Sequence, residues 1–234
     1  SLMALPDPVG ATLSATELKP PLRWFGRRRN RRAPFCRIQI EDAMEITAIA
    51  RQAQEACRQL AAAKSDAKNR ALAAIARALE TRRDEIVAAN RRDLARAETE
   101  NLAAPLLKRL RFDEAKITEA VEGIHSLMAL PDPVGATLSA TELDQGLELY
   151  KVSCPIGVIG VIFESRPDAL VQISCLCLKS GNAVLLKGGS EAAATNRILA
   201  ETIGAASVAA GMPAGWLALL ETRADVAAIL GLDE

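Results

Sequence analysis

Residues 157–172 read GVIGVIFESRPDALVQ. An uncharged run rich in β-branched residues stops at Glu164, Ser165 and Arg166, and Pro167 closes the turn. A continuous apolar run of this kind predicts a parallel strand covered on both faces. Its polar end then needs a reason, because a carboxylate, a hydroxyl and a guanidinium are costly to bring to the edge of a core.

The same grammar continues downstream. ALVQISCLCLKSG predicts a helix that Gly181 stops. NAVLLKGG predicts a second strand. SEAAATNRILAETIGAASVAAG predicts a second helix, capped by Ser190 and stopped by Gly211. MPAGWLALLE holds a third strand, and TRADVAAILGLDE begins another helix. The order β-α-β-α-β-α over 152–234 is that of an open α/β sheet with right-handed crossovers.

Upstream the pattern is helical. MEITAIARQAQEACRQLAAA (44–63) spaces apolar residues at the helical period. Ser65 is placed to cap a second helix running to about Ala89 and broken at Asn90, with surface ion pairs expected among Arg77, Glu80, Arg83 and Asp84. Asp113 is placed to cap a third helix, and the prolines of PDPVG end it. Residues 131–151 read as a linker of turns and short extended pieces, with a hairpin of the association type.

Composition bounds the possibilities. The chain has 234 residues, 50% hydrophobic and 25% charged, enough for a core of one domain or a little more. Aromatics are only 3%, so alanine and aliphatic side chains must fill that core. Net charge is zero, which makes nucleic acid an unlikely partner. The longest uncharged run is interrupted by Pro155, Gly157 and Gly160 and falls short of the roughly 20 apolar residues that span a bilayer, so no membrane association is expected. Five cysteines in no framework spacing fit free thiols in a reducing cytoplasm. With one histidine, His125, a zinc site is not expected.

The N-terminal 43 residues stand apart. SLMALPDPVGATLSATEL occupies 1–18 and recurs letter for letter at 126–143. Two identical copies read as a recent duplication or an assembly artefact, since repeat architectures diverge and need at least about three units. Lys19–Arg37 carries eight basic residues and no acid. Arginines interleaved with Trp24, Phe25 and Phe35 suit a polyanion-binding arm or an arginine-rich targeting segment. The simpler reading is a disordered or non-native extension ahead of a start at Met44.

Ligands of open parallel sheets bind beyond the carboxyl ends of the strands. Here those ends are FESRPD, LKGGSE and LETRAD, each with a cation (Arg166, Lys187, Arg223) and each leading into a helix N-terminus, where amides and dipole favour anions. Gly188 and Gly189 let backbone approach a ligand. Together these suit a phosphate or a phosphate-bearing cofactor. Solvated loops at strand ends explain the same polarity without any ligand, and there is no G-x-G-x-x-G.

CPIGVIGVIFESRPDALVQ, LKSGNAVLLKGGSEAAATNRIL and AAGMPAGWLALLETRADVAAILGLDE resemble the cofactor half of the gamma-glutamyl phosphate reductase family, also called glutamate-5-semialdehyde dehydrogenases, within the aldehyde dehydrogenase superfamily. IVAANRRDLARA and RLRFDEAKITEAVEGIHSLMALPDPVG resemble its N-terminal region, so the likeness covers about 44–234. It implies an aldehyde-dehydrogenase-like, Rossmann-type parallel sheet, incomplete here, preceded by a helical region over 44–130. It also implies NADP(H)-dependent reduction of gamma-glutamyl phosphate to the semialdehyde with release of phosphate, a step of proline biosynthesis in the cytoplasm, by a homo-oligomer. In that chemistry a cysteine thiolate attacks the acyl carbon and hydride reduces the thioester.

Carried over by position, the resemblance implies that Phe163, Glu164, Ser165, Lys187, Gly188, Gly189, Ser190, Glu191, Pro213 and Gly215 form the cofactor pocket. Lys187 would reach the adenosine ribose or its 2′-phosphate, and the second helix's N-terminus would face the cofactor. Ser165 and Arg166 fall at the position that holds the acyl oxygen or substrate phosphate; Arg166 is favoured because a guanidinium grips phosphate bidentately. The alternative is Arg166 closing the turn against Glu164 or Asp168. The family's nucleophilic cysteine is expected beyond Glu234, which makes this chain the cofactor-binding part, inactive alone. Cys154, Cys175 and Cys177 read as inert packing thiols. Two other classes stay open: a stand-alone nucleotide- or phosphate-binding module, and a non-catalytic interaction protein.

Overall fold

A computed structural model describes residues 37–232. The first repeat copy and all of the basic segment before Arg37 lie outside the described residues.

The helical region opens with α1 (Arg37–Ala61), which begins ahead of Met44. α2 (Ser65–Thr81) and α3 (Arg83–Thr99) follow. The break between them falls at Arg82, not at Asn90, and Lys64, not Ser65, is the residue before α2. Arg82 turns the chain while its guanidinium binds Glu85 at 2.7 Å and donates to Thr202 Oγ1 at 2.9 Å. That is the ion pair formed in this stretch, in place of those expected around Arg77 and Arg83. Asn90 is buried in mid-helix. Its amide donates to Leu110 O at 2.9 Å and to Thr195 Oγ1 at 3.2 Å, and its oxygen accepts from Phe112 N at 2.8 Å. A residue that favours breaks in isolation is kept helical by three tertiary partners. A short helix, α4 (Ala104–Leu110), has no forerunner in the sequence reading. α5 (Glu114–Ala129) is capped by Asp113, which accepts from Lys116 N at 3.1 Å.

β1 (Thr137–Asp144) and β2 (Leu147–Val152) form an antiparallel hairpin exposed along its whole length. The chain then enters the parallel sheet: β3 (Val158–Ile162), α6 (Pro167–Lys179), β4 (Ala183–Lys187), a 3-10 turn (Ser190–Ala192), α7 (Ala193–Ala209), β5 (Leu217–Leu219) and α8 (Arg223–Leu230). The strand order is β3-β4-β5, all parallel. Two right-handed crossovers in one direction place α6 and α7 on the same face. α1 touches all three strands and α8, so it covers the other face.

β4 is buried from Ala183 to Leu186. β3 is not covered on both faces as its composition suggests: Gly160 is exposed and Ile162 is 67% exposed. Among the described residues β3 is an edge strand, so its apolar run has a partner on one side only. The core joins β4 to α1, α2, α5, α6 and α7 through small and aliphatic side chains. Two buried aromatics join them: Phe112, and Trp216, 1% exposed, whose indole N–H donates to Ser207 Oγ at 2.8 Å.

Candidate functional site: a cleft at the strand ends

Parallel register brings the tips of β3 and β4 together. Phe163 N donates to Lys187 O at 3.0 Å, so the chain leaving β3 stays paired with the last residue of β4. A cleft of about 600 Å³ opens there, between these tips, Glu221 and Val226, with Leu102 and Leu106 as an apolar wall. Phe163, Glu164, Ser165, Lys187, Gly188, Gly189, Ser190 and Glu191 all line it. A smaller hollow of about 110 Å³ adjoins it, sharing Gly188, Gly189, Ser190 and Glu221 and bounded by Asn196 and Arg197.

Pro213 and Gly215 lie elsewhere. They precede β5 and so stand at its entry end, opposite the cleft; Gly215, at φ +84°, packs against Gln52 of α1. Arg166 is not among the cleft residues either. It is exposed, and its guanidinium pairs with Asp168 at 3.0 Å, the turn-closing arrangement. The Asp168 hydrogen bond and charge hold the guanidinium's pKa above its ordinary value.

The N-termini of α7 and α8 are not vacant anion sites. At α7 the donors belong to Asp93 of α3. Its buried carboxylate accepts from Thr195 N at 2.8 Å, Thr195 Oγ1 at 2.7 Å and Ala194 N at 3.3 Å. Arg96 pairs with the same carboxylate at 3.1 Å and donates to Ser190 O at 2.7 Å. Ser190 is therefore not the cap; it starts the 3-10 turn instead. At α8, Thr222 and Asp225 form a reciprocal capping box. α6 opens with Pro167, which has no N–H to offer.

Lys187 is the cation lining the cleft among the described residues, beside Glu164, Glu191 and Glu221. Two of those carboxylates are already engaged. Glu221 binds Arg197 at 2.7 Å. Glu191 accepts from Ser165 N at 2.7 Å and Ser165 Oγ at 2.6 Å. Burial alone would push the Glu191 carboxyl up, but hydrogen bonds from the Ser165 hydroxyl, its own amide and the Ser165 amide, with the charge of Lys187, hold it below the ordinary value. Lys187 itself donates to Gly188 O.

Two features of the adjoining hollow bear on what it can hold. Asn196 is 2% exposed, yet its Oδ1 has no hydrogen-bond partner, an arrangement that costs about 1–3 kcal/mol unless something supplies a donor. Above it, a Cβ on Gly188 would fall 2.1 Å from Asn196 Nδ2, so only glycine leaves this floor open. A glycine-lined turn, an ammonium and an orphaned amide suit a ribose or phosphate edge. Asn196 had no signal in the sequence, since an asparagine inside a helix reads as surface.

Among the described residues no cysteine lines the cleft. Cys57, Cys175 and Cys177 are buried. Burial pushes the Cys175 thiol up to about 12, with the neighbouring Cys177 adding to it, and pushes Cys177 up to about 11. Thiols this hard to ionise are poor nucleophiles. Cys154 is exposed, not packed as expected, and lies before β3 at the far end of the sheet. Cys36 lies outside the described residues. Among the described residues no His, Cys, Asp and Glu cluster could hold a metal, and no helix is long and apolar enough to cross a membrane.

The model of the aldehyde dehydrogenase family matches residues 28–231. A gamma-glutamyl phosphate reductase of Pelotomaculum thermopropionicum is 66% identical over 191 residues, covering 82% of this chain and 44% of the relative. Crystal structures of gamma-glutamyl phosphate reductases from Thermotoga maritima and Saccharomyces cerevisiae superpose with TM-scores of 0.73 and 0.73 at 35% and 39% identity. They cover 75% and 76% of this chain, which covers 42% and 46% of theirs. The chain thus spans under half the length of the relatives it matches.

Proposed function

The chain belongs to the aldehyde dehydrogenase family, and from that premise we propose that it supplies the dinucleotide-binding part of a gamma-glutamyl phosphate reductase. The observation that carries the proposal is the pairing of the β3 and β4 tips around one cleft, whose Gly188 also lines the adjoining hollow that holds the orphaned Asn196. The proposed reaction reduces gamma-glutamyl phosphate to glutamate-5-semialdehyde and phosphate with NADPH, in cytoplasmic proline biosynthesis. When bound, the nicotinamide supplies the hydride.

The chain's own residues divide the work. Lys187 places a positive charge at the cleft wall, suited to a phosphate of the dinucleotide. Gly188 and Gly189 admit the ligand close to the backbone, and Asn196 offers an acceptor to a hydroxyl. Glu221, neutralised by Arg197, is placed to accept from a ribose without repelling phosphate. Ser165 presents an N–H and a hydroxyl where β3 ends, suited to an acyl or phosphoryl oxygen. The exposed hairpin, with Leu138, Leu147, Leu149 and Tyr150 more than half exposed, is placed to join a second copy.

Lys187→Ala is expected to weaken NADPH binding, measured by isothermal titration, by about 1–3 kcal/mol, the range for a hydrogen bond to a charged group. Unchanged affinity would mean that Lys187 is merely solvated. Since no cysteine among the described residues lines the cleft, this chain alone is expected to give no turnover in a semialdehyde dehydrogenase assay, while still binding dinucleotide. Turnover would place the nucleophile within these residues and contradict that expectation.

A further inference from the structure

The Glu191 side chain folds back over Gly189 to reach Ser165. A Cβ on Gly189 would lie 2.0–2.4 Å from the Glu191 carboxylate, so the space exists only because that residue is glycine. Ser165 in turn sits at φ +44°, a left-handed conformation that costs a serine about 1–3 kcal/mol. That turn aims its N–H and its hydroxyl at one carboxylate oxygen, 2.7 and 2.6 Å away. The charge of the Lys187 ammonium favours the same carboxylate. Backbone and hydroxyl donors converging beside a cation are what a protein uses to hold an oxyanion. Here the anion held is the protein's own.

We propose that the N–H and hydroxyl of Ser165 form an oxyanion site, and that the Glu191 carboxylate is its built-in competitor, withdrawn when a phosphate group of a small molecule enters. The proposal rests on reading the cleft as a ligand site but not on which dinucleotide it takes. The competitor keeps the strained turn satisfied while the site is empty. It also makes entry an exchange: the incoming phosphate gains the donors that Glu191 gives up, and Glu191 passes to solvent at the cleft mouth. A neutral ligand has no such exchange to offer, so the arrangement selects for charge.

The test is isothermal titration of the full chain with inorganic phosphate at fixed ionic strength, for the parent and for Glu191→Ala, Glu191→Asp and Glu191→Ala combined with Ser165→Ala. Glu191→Asp keeps the charge but is one methylene short of Ser165. Both single variants are expected to bind phosphate at least about tenfold tighter than the parent, the scale of one charge-assisted contact changing owner. The double variant is expected to lose that gain. No gain in either single variant would show that Glu191 is only a tie between the two tips. A gain in Glu191→Ala that is absent from Glu191→Asp, or that survives loss of the Ser165 hydroxyl, would reduce the effect to removal of a negative charge and overturn the proposal. Should Glu191→Ala fail to fold, Glu191→Asp alone carries the test. Because free phosphate is the probe, failure here leaves the dinucleotide reading standing, and failure of that reading leaves this result interpretable.

Discussion

Asp132→Ala is expected to destabilise the fold by about 3–5 kcal/mol, the cost of leaving a buried charge without its partner. That charge is Lys68 of α2, 0% exposed, whose ammonium binds both carboxylate oxygens of Asp132 at 3.1 Å. Asp132 also accepts from Val134 N at 3.0 Å, which shapes the turn after α5. A second buried ammonium, on Lys179 of α6, donates to Asn69 Oδ1 at 2.8 Å, so two cations knit α2, α5 and α6 together. Urea unfolding followed by circular dichroism measures the loss. Lys68→Met, which removes charge and desolvation together, should cost much less in the Asp132→Ala background than in the parent. Equal costs would mean that the two residues are not coupled.

Asp93→Ala carries the second large effect, roughly 3 kcal/mol, because it strands two amides and a hydroxyl at the start of α7, each buried donor losing about 1–3 before relaxation. The consequence reaches the cleft. Asp93 and Arg96 fix the Ser190–Thr195 segment from α3, and that segment carries the turn that follows β4. NADPH affinity should therefore fall along with stability. Asp93→Asn, which still accepts from Thr195, should recover most of the affinity. If titration shows dinucleotide binding unchanged in Asp93→Ala while urea unfolding shows the loss, α3 supports the fold but does not position the site.

The strands were readable because long uncharged runs admit few other structures in a chain this polar. Gly181 and Gly211 as helix stops, and Asp113 as a cap, were readable because each acts on its own neighbours. What escaped prediction depends on distant partners. Asn90 looks like a helix breaker until Leu110, Phe112 and Thr195 are seen to satisfy its amide. Ser190 looks like a cap because nothing nearby announces that Asp93, 102 residues earlier than Thr195, has taken the role. The break at Arg82 contains neither glycine nor proline. The exposed face of β3 follows from its place at the sheet edge, which composition does not encode.

Site geometry divides along the same line. Strand-end position alone gathered eight of the ten residues implied for the cofactor pocket, from Phe163 to Glu191, into one cleft. Pro213 and Gly215 stand apart because they enter a strand instead of leaving one. Cations at the tips suggested a positive cradle, yet Arg166 turns to Asp168 and the cleft holds more carboxylate than ammonium. Net charge along a sequence says little about which charges have found partners. Ser165 with Glu191 and Arg197 with Glu221 are pairs made across 26 and 24 residues.

Amide hydrogen exchange with and without NADPH tests the cleft most directly. Protection gained together at residues 163–166 and 187–191, and abolished by Lys187→Ala, is the predicted result. Saturating NADPH that leaves both tips exchanging as before, or that protects the entry end of the sheet near Gly215 instead, would contradict it.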